Sequence, residues 1–280
     1  MLMKIIFINI GVFVVVRFAA IVMMLYNVNP DSFLQYIELP SNLTTLVYQP
    51  WTFVTYMFMQ YDILHILFNM LWLYWFGTIF MMYYTQKQLF GLYFFGGIGG
   101  AILYLLAYNV FPYFVGTNAY LLGASASVIA IVVATALRAP DYKVGLLFLG
   151  EISLKWIAIV TILIDFLSIG SANAGGHIAH LGGGLTGVLY GLAYKNGYDI
   201  TRWFNSACDS IVNLFNRRPA VKSGTFRKKY KNKASSNDRT TMNNSDVNDM
   251  NTILEKIKRS GYTSLSTEEK KRLFEVSKKK

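Results

Sequence analysis

One cysteine, three histidines and six prolines in 280 residues leave little material for several common chemistries. A lone Cys208 excludes an internal disulfide framework and a metal site built on cysteine. Charge is scarce too, with Asp, Glu, Lys and Arg making up 15% of the chain. Its placement matters more than its amount: no Lys or Arg occurs in 27–60, 109–122 or 170–176. The first apolar run lacks a convincing small-residue cleavage site, so it reads as an anchor and not as a removable leader.

What the chain has in excess is apolar surface. Hydrophobic residues make up 54% and aromatics 16%, well beyond the composition of a soluble domain. Runs long enough to cross a hydrocarbon core, which takes roughly 17–25 residues, recur at about 5–26, 61–82, 89–108, 123–138, 152–169 and 177–194. They predict an all-α membrane protein, a six-transmembrane-helix bundle. The stretch "YKVGLLFLGE" before the fifth run is expected to be an inner-side connection.

The charge asymmetry sets the orientation. Residues 195–280 hold 20 of the 26 Lys and Arg, and the first 194 residues sum to zero net charge. With the N-terminus inside, Lys4, Lys87, Arg138, Lys143 and the basic tail are internal, whereas the outer connections carry no positive charge. This is the positive-inside bias. It predicts a multi-pass plasma membrane protein of the bacterial inner-membrane type, with both termini cytoplasmic. Arg17 is the exception, expected to face a neighbouring helix or to snorkel.

Four segments follow. Residues 1–195 form the membrane domain, whose long connection 27–60 is rich enough in aromatics to fold onto the membrane face. Residues 196–216 place Ile200, Trp203, Phe204, Ala207, Ile211, Leu214 and Phe215 at helical spacing, as in an amphipathic helix on the inner surface. Residues 217–250 are basic and polar and read as a flexible linker. Residues 251–280 read as a small cytoplasmic α-helical module: a helix stopped by Gly261, then one opened by a capping box of Ser266 and Glu269.

The topology carries the chemical argument. The second, fourth and sixth runs all descend from the outer side, so their first turns share one level. His65 and Asn69 stand there in the second, Ser125 in the fourth and His180 in the sixth. An imidazole within a membrane is a functional hypothesis by default, because polar groups are costly there. His65 and Asn69 are four residues apart and share a helix face. Ala126, Ala130 and Ala134 form one small-residue stripe, and Ala179, Gly183, Gly187 and Gly191 form another. Such stripes let backbones approach closely, which would bring Ser125 within reach of His180. A serine becomes a nucleophile when a base takes its proton. The backbone amide near Ser125, with His65 and Asn69, would then serve the oxyanion. No acidic residue of these three runs is given a catalytic part, so a Ser–His dyad is expected. Asp165, near the outer end of the fifth run, is expected to face water or a loop and is given no catalytic part. His177 is the rival base, read as an interfacial histidine. Ser127 lies about 200° around the helix from Ser125 and is expected to pack or bond to backbone. Glu151 and Lys155 are expected to pair at the inner surface.

These motifs together resemble the rhomboid family of intramembrane serine proteases. "PWTFVTYMFMQYDILHILFNMLWLYWFG" (50–77) resembles the family's first outer loop and second span with its H-x-x-x-N pair. "GASA" resembles the G-x-S-G around the nucleophile, and "AHLGGGLTG" the A-H-x-G-G motif bearing the base. The likeness runs from about Pro50 to Gly191, all parts in the family's order. It implies an endopeptidase that cleaves membrane-anchored proteins near or within a transmembrane segment. Ser125 and His180 would be catalytic, His65 and Asn69 would stabilise the oxyanion, and no metal or organic cofactor is implied. Four positions depart from the pattern: Ala126 for a glycine, Ile129 for an aromatic, Gln60 for a histidine, and Thr52 for an arginine. The alternative is a catalytically inactive relative that binds membrane proteins and controls their fate; a small transporter would instead need a polar path to both leaflets. Expected partners are single-span or other membrane-protein substrates, plus anionic lipid at the basic tail. Nucleic acid is not expected.

Overall fold

The computed structural model describes residues 1–146, 150–215 and 244–278. The expected linker therefore lies, as far as residue 243, outside the described residues. Two compact units divide at residue 219, Met1–Pro219 and Ala220–Lys280.

The first unit is helical apart from two short ladders. Its helices are α1 (Leu2–Leu25), α2 (Asp31–Leu34), α3 (Leu43–Tyr48), α4 (Thr52–Thr55), α5 (Ile63–Phe80), α6 (Gln86–Val110), α7 (Ser125–Arg138), α8 (Leu154–Leu167), α9 (Ala174–Lys195) and α10 (Arg202–Phe215). The strands are β1 (Leu39–Pro40), β2 (Tyr120–Leu121), β3 (Lys143–Leu146) and β4 (Gly150–Ser153). Of the described helices, α1, α5 and α6 are long and apolar enough to cross a membrane. At 14 residues, α7 and α8 are each about 21 Å long. α9 has the length, 22 residues, but its glycines and histidines dilute its hydropathy.

α7 is the axis of the unit, buried on every side from Ala126 to Ala136. A helix apolar all round is a core helix, and its neighbours reach it through residues without side chains. A β-carbon at Gly183 would run into the Ala126 carbonyl, and one at Gly187 into that of Ala130. From the other side, Gly96 and Gly100 of α6 meet Ala130 and Ala126. The two stripes expected to face each other do so. Ser127 faces the Gly96 side and is fully buried, with no hydrogen-bond partner for its hydroxyl.

α8 is built differently. Its buried residues are Leu154, Ile157, Ala158 and Asp165, while Ile159, Leu163, Ile164, Phe166 and Leu167 are exposed. Exposed apolar residues also cover α1, among them Phe7, Val15, Phe18 and Leu25. Such surface suits lipid, where only the backbone must be satisfied internally. Within α1, Asn9 is fully buried and its amide donates to the Tyr93 hydroxyl at 3.1 Å, which donates to the Met57 carbonyl at 3.0 Å.

The connection 27–60 folds compactly. Asn42 caps α3 by accepting from the Thr44 and Thr45 amides, and β1 pairs antiparallel with β2, Leu39 opposite Leu121. Arg17 stands exposed, lining a cleft with Asp62. The segment before α8 is a hairpin, β3 antiparallel to β4. There the expected Glu151–Lys155 pair is replaced. Glu151 is in a strand and not a helix, so it pairs across the hairpin with Lys143 at 3.3 Å, and Lys155 takes Asp141 at 2.6 Å. α10 forms within the expected amphipathic segment; it turns Phe204 onto Phe90 and Phe94 of α6 and exposes Trp203 and Ile211.

The second unit contains α11 (Asn244–Ser260) and α12 (Thr267–Lys278). α11 begins seven residues before the expected boundary at 251, inside the segment read as linker. Gly261, at φ +75°, ends it in the left-handed conformation that glycine tolerates. Ser266 and Glu269 form the capping box: the Ser266 amide donates to Glu269 Oε2 at 2.7 Å and the Glu269 amide to Ser266 Oγ at 3.3 Å. Lys256 donates to both Glu269 carboxylate oxygens, at 2.9 and 3.0 Å.

Candidate active site

Ser125 is the first residue of α7, and the turn before it is set by Gly123. That glycine sits at φ +121°, a conformation hostile to side chains, and its amide donates to the Tyr56 carbonyl at 2.9 Å. A β-carbon there would lie 3.3 Å from the His65 ring and 3.4 Å from Ser125 Oγ. Glycine is thus required both for the turn and for the space shared by these two side chains.

The contact of α7 with α9 aligns the next pair. Because Gly183 abuts the Ala126 backbone, His180, one turn earlier on α9, arrives opposite Ser125. Its Nε2 lies 2.6 Å from Ser125 Oγ. Its Nδ1 lies 2.8 Å from Asp165 Oδ1, and Nδ1 of His177 lies 2.8 Å from the same oxygen. The Asp165 side chain is 6% exposed, the imidazoles 18% and 20%. Asp165 Oδ2 is buried and has no hydrogen-bond partner among the described residues.

His65 and Asn69 come from α5. Asp62 starts this helix by accepting the His65 amide at 2.8 Å, which fixes the first turn and the direction of the imidazole. Asn69, one turn on, is buried and donates its amide to Gln60 Oε1 at 2.8 Å. Gln60 is itself 1% exposed, and its own Nε2 has no partner. A cavity of about 350 Å³ opens over the group, lined by Asn69, Trp72, Ser125, Ile129, Asp165 and His180. All four residues singled out from the sequence border one space, three of them along the cavity wall and His65 at Gly123.

The sequence reading missed Asp165 and misjudged His177. The expected Ser–His pair has a third group beside it: the Asp165 carboxyl lies against the far nitrogen of the His180 ring. Asp165 does not face water but turns inward to both imidazoles, and His177, still partly exposed, is tied to it. The signal was present in the fifth run. Leu154, Ile157, Ala158 and Asp165 fall on one helical stripe, the only inward face α8 has, and Asp165 closes it at the level of Ser125.

Comparison with known proteins gives the chain a family. The Rhomboid domain family model matches residues 47–196, more than half the chain, and the protein belongs to the rhomboid family. A second family model, of unknown function (DUF6576), matches residues 242–279. The chain is 32% identical over 158 residues to RHOMBOID-like protein 12, mitochondrial, of Arabidopsis thaliana, covering 52% of this chain and 47% of that one. It is also 32% identical over 137 residues to Presenilin-associated rhomboid-like protein A, mitochondrial, of Danio rerio, covering 48% and 34%. The chain thus spans less than half the length of the curated relatives it matches. Both are mitochondrial by name, which lends no support to the plasma membrane expected from the sequence.

Proposed function

We propose that this protein is an intramembrane serine endopeptidase acting on membrane-anchored proteins near or within their transmembrane segments. The observation that carries the reading is the 2.6 Å contact of His180 Nε2 with Ser125 Oγ, backed by Asp165 at 2.8 Å from Nδ1. With the Nδ1 proton held by the carboxylate, Nε2 is left free to accept.

In the proposed reaction His180 removes the Ser125 proton as Oγ bonds to the substrate's peptide carbonyl carbon. His180 then gives that proton to the leaving amine as the C–N bond breaks. Water, deprotonated by the same imidazole, releases the acyl group and restores Ser125. Asp165 stays ionised and orients the ring. The Asn69 amide, the His65 imidazole and the Ser125 backbone N–H are proposed to hold the oxyanion, and each such donor is worth about 10²–10³ in rate. The Gln60 bond uses one proton of the Asn69 amide and leaves the other for substrate.

The topology belongs to the same reading. Six spans, with both termini on the side that collects the basic residues, put the mouth of the cavity near the opposite face. α9 is dilute for a span but packs along α6 and α7, whereas α8, at 14 residues, is short for one and turns an exposed apolar face outward, as lipid contact would require. The fine localisation expected from the sequence, a plasma membrane, is tested by subcellular fractionation.

A fluorophosphonate probe and a model single-span substrate test the activity. Wild type should label and cleave, and Ser125→Ala and His180→Ala should do neither. Equal labelling in wild type and Ser125→Ala would remove Ser125 as nucleophile. No labelling and no cleavage by folded wild type would favour the inactive relative that only binds membrane proteins.

A further inference from the structure

A relay through His180 uses one oxygen of Asp165 and one imidazole, but the structure holds more. A second imidazole, His177, lies 2.8 Å from the same oxygen, and the other oxygen, Oδ2, is buried with no partner. The donor atoms of Asp165, His177 and His180 all lie within 4.8 Å of one another. We propose that these three residues form a binding site for a zinc-class divalent metal ion, and that occupancy switches the active site off.

The chemistry of the donors selects the ion. Two imidazole nitrogens and a carboxylate oxygen suit zinc, which takes three protein ligands and one water in open sites. Tetrahedral bonds of about 2.0–2.1 Å need donors about 3.4 Å apart, within reach of small side-chain rotations here. His177 and His180 are three residues apart on α9, so one helix face presents both, and α8 supplies the carboxylate from across the contact. Oδ2 gives Asp165 a lone pair that no group among the described residues claims. The cavity over Ser125 provides access and the fourth, water, position.

Inhibition follows from proton bookkeeping at His180. In the resting site Nδ1 carries the proton and Nε2 accepts. A metal ion on Nδ1 needs that nitrogen's lone pair, so the single proton of the neutral ring moves to Nε2. Nε2 then donates to Ser125 Oγ and cannot take its proton. The nucleophile stays in place while its base is lost. This inhibition rests on the proposed role of His180; the binding itself does not.

The two parts are therefore tested separately, on the tag-free full-length chain in detergent. Cobalt(II) is titrated into Ser125→Ala protein, where catalysis plays no part. The expected result is a visible d–d spectrum of tetrahedral type, displaced by zinc, with binding at least tenfold weaker after His177→Gln or Asp165→Asn. His177→Gln keeps a hydrogen-bonding side chain against Asp165, so loss of binding is not loss of packing; matched melting temperatures confirm it. In wild type, saturating zinc should abolish fluorophosphonate labelling and EDTA restore it, while the ratio of labelling with and without zinc should stay near one in His177→Gln. Cobalt binding unchanged by both substitutions overturns the site. Zinc bound at the site with labelling undiminished overturns the switch. Wild type that never labels refutes the protease reading alone, and the cobalt titration still decides the site.

Discussion

Two of the helices that face α7 around the candidate site, α9 and α8, are packed on opposite principles. α9 meets α7 backbone to backbone through Gly183 and Gly187, with no side chain between. α8 offers four buried residues, one of them the carboxyl group of Asp165. Ser125 and His180 therefore sit on a rigid pair, while the group that orients His180 sits on the least embedded helix of the site. Precision at the Ser125–His180 contact comes from small residues; the supporting carboxyl comes from an element with little else to hold it.

The sharpest way to break this comparison is to separate the rigid pair. Gly183→Val forces an isopropyl group, its β-carbon first, against the Ala126 backbone, which cannot yield as a flexible side chain would. Overpacking of this kind costs about 1–3 kcal/mol or more, and the whole length of α9 must shift to relieve it. Labelling of Ser125 should disappear and the melting temperature fall together. A variant that labels normally would show that the contact does not set the Ser125–His180 distance.

Asp165→Asn should separate activity from stability instead. α8 loses no volume, and the amide still fits between the imidazoles, so melting should change little. Turnover should fall about 10²–10⁴-fold, the range attributed to acid–base catalysis, because an amide no longer favours the Nδ1–H tautomer. Substrate KM should move far less than kcat. Equal loss from Asp165→Asn and from Asp165→Leu in stability rather than turnover would make the residue a packing element only.

This contrast also explains what could be read from the sequence. The stripes of Ala126, Ala130 and Ala134 and of Gly183 and Gly187 are periodic, so their facing contact was legible. Ser125, His180, His65 and Asn69 were singled out from their shared level in alternate runs, the second, fourth and sixth. Asp165 was not, because a lone carboxyl in an apolar run gives no period of its own; only the sparse inward stripe of α8 locates it. The β1–β2 and β3–β4 ladders went unread for a related reason. A two-residue strand has no pattern, and the partner of Leu39 is 82 positions away. The tail's capping box was legible because it is wholly local, whereas the start of α11 in a polar segment carried no apolar mark.

A smaller effect is expected at Gln60, where a glutamine stands in place of the family's usual histidine. Its Oε1 accepts from Asn69 at 2.8 Å and so aims the amide from a buried position. Gln60→Met keeps the volume and removes the acceptor. Asn69 then gains rotational freedom, and kcat should drop by roughly tenfold, less than the roughly 10²–10³ that outright loss of an oxyanion donor costs, with Asn69→Ala lower still. If the double variant falls by the product of the two single losses, Gln60 acts independently of Asn69 and the positioning argument fails.

The smallest effect lies away from both helices, in the connection 27–60. Glu38 is 3% exposed; burial raises its carboxyl pKa above the ordinary carboxylate value of 4.5, Tyr61 opposes this by a hydrogen bond, and Asp31 adds to it. The folded chain therefore keeps the proton to a higher pH than the unfolded chain does. Between the two pKa values the folded state binds more protons, so stability is greatest below about 4.5 and declines as pH rises through the folded value. Glu38→Gln retains an oxygen for Tyr61 and abolishes that slope. It also buries an amide where Glu38 Oε1 had no partner, which shifts stability by a constant at every pH. The informative quantity is therefore the difference in melting temperature between variant and wild type at pH 5 and at pH 8. It should move in favour of the variant at the higher pH, because only the wild type must ionise a buried carboxyl there; a difference independent of pH would show that Glu38 does not titrate in this range, whatever its burial.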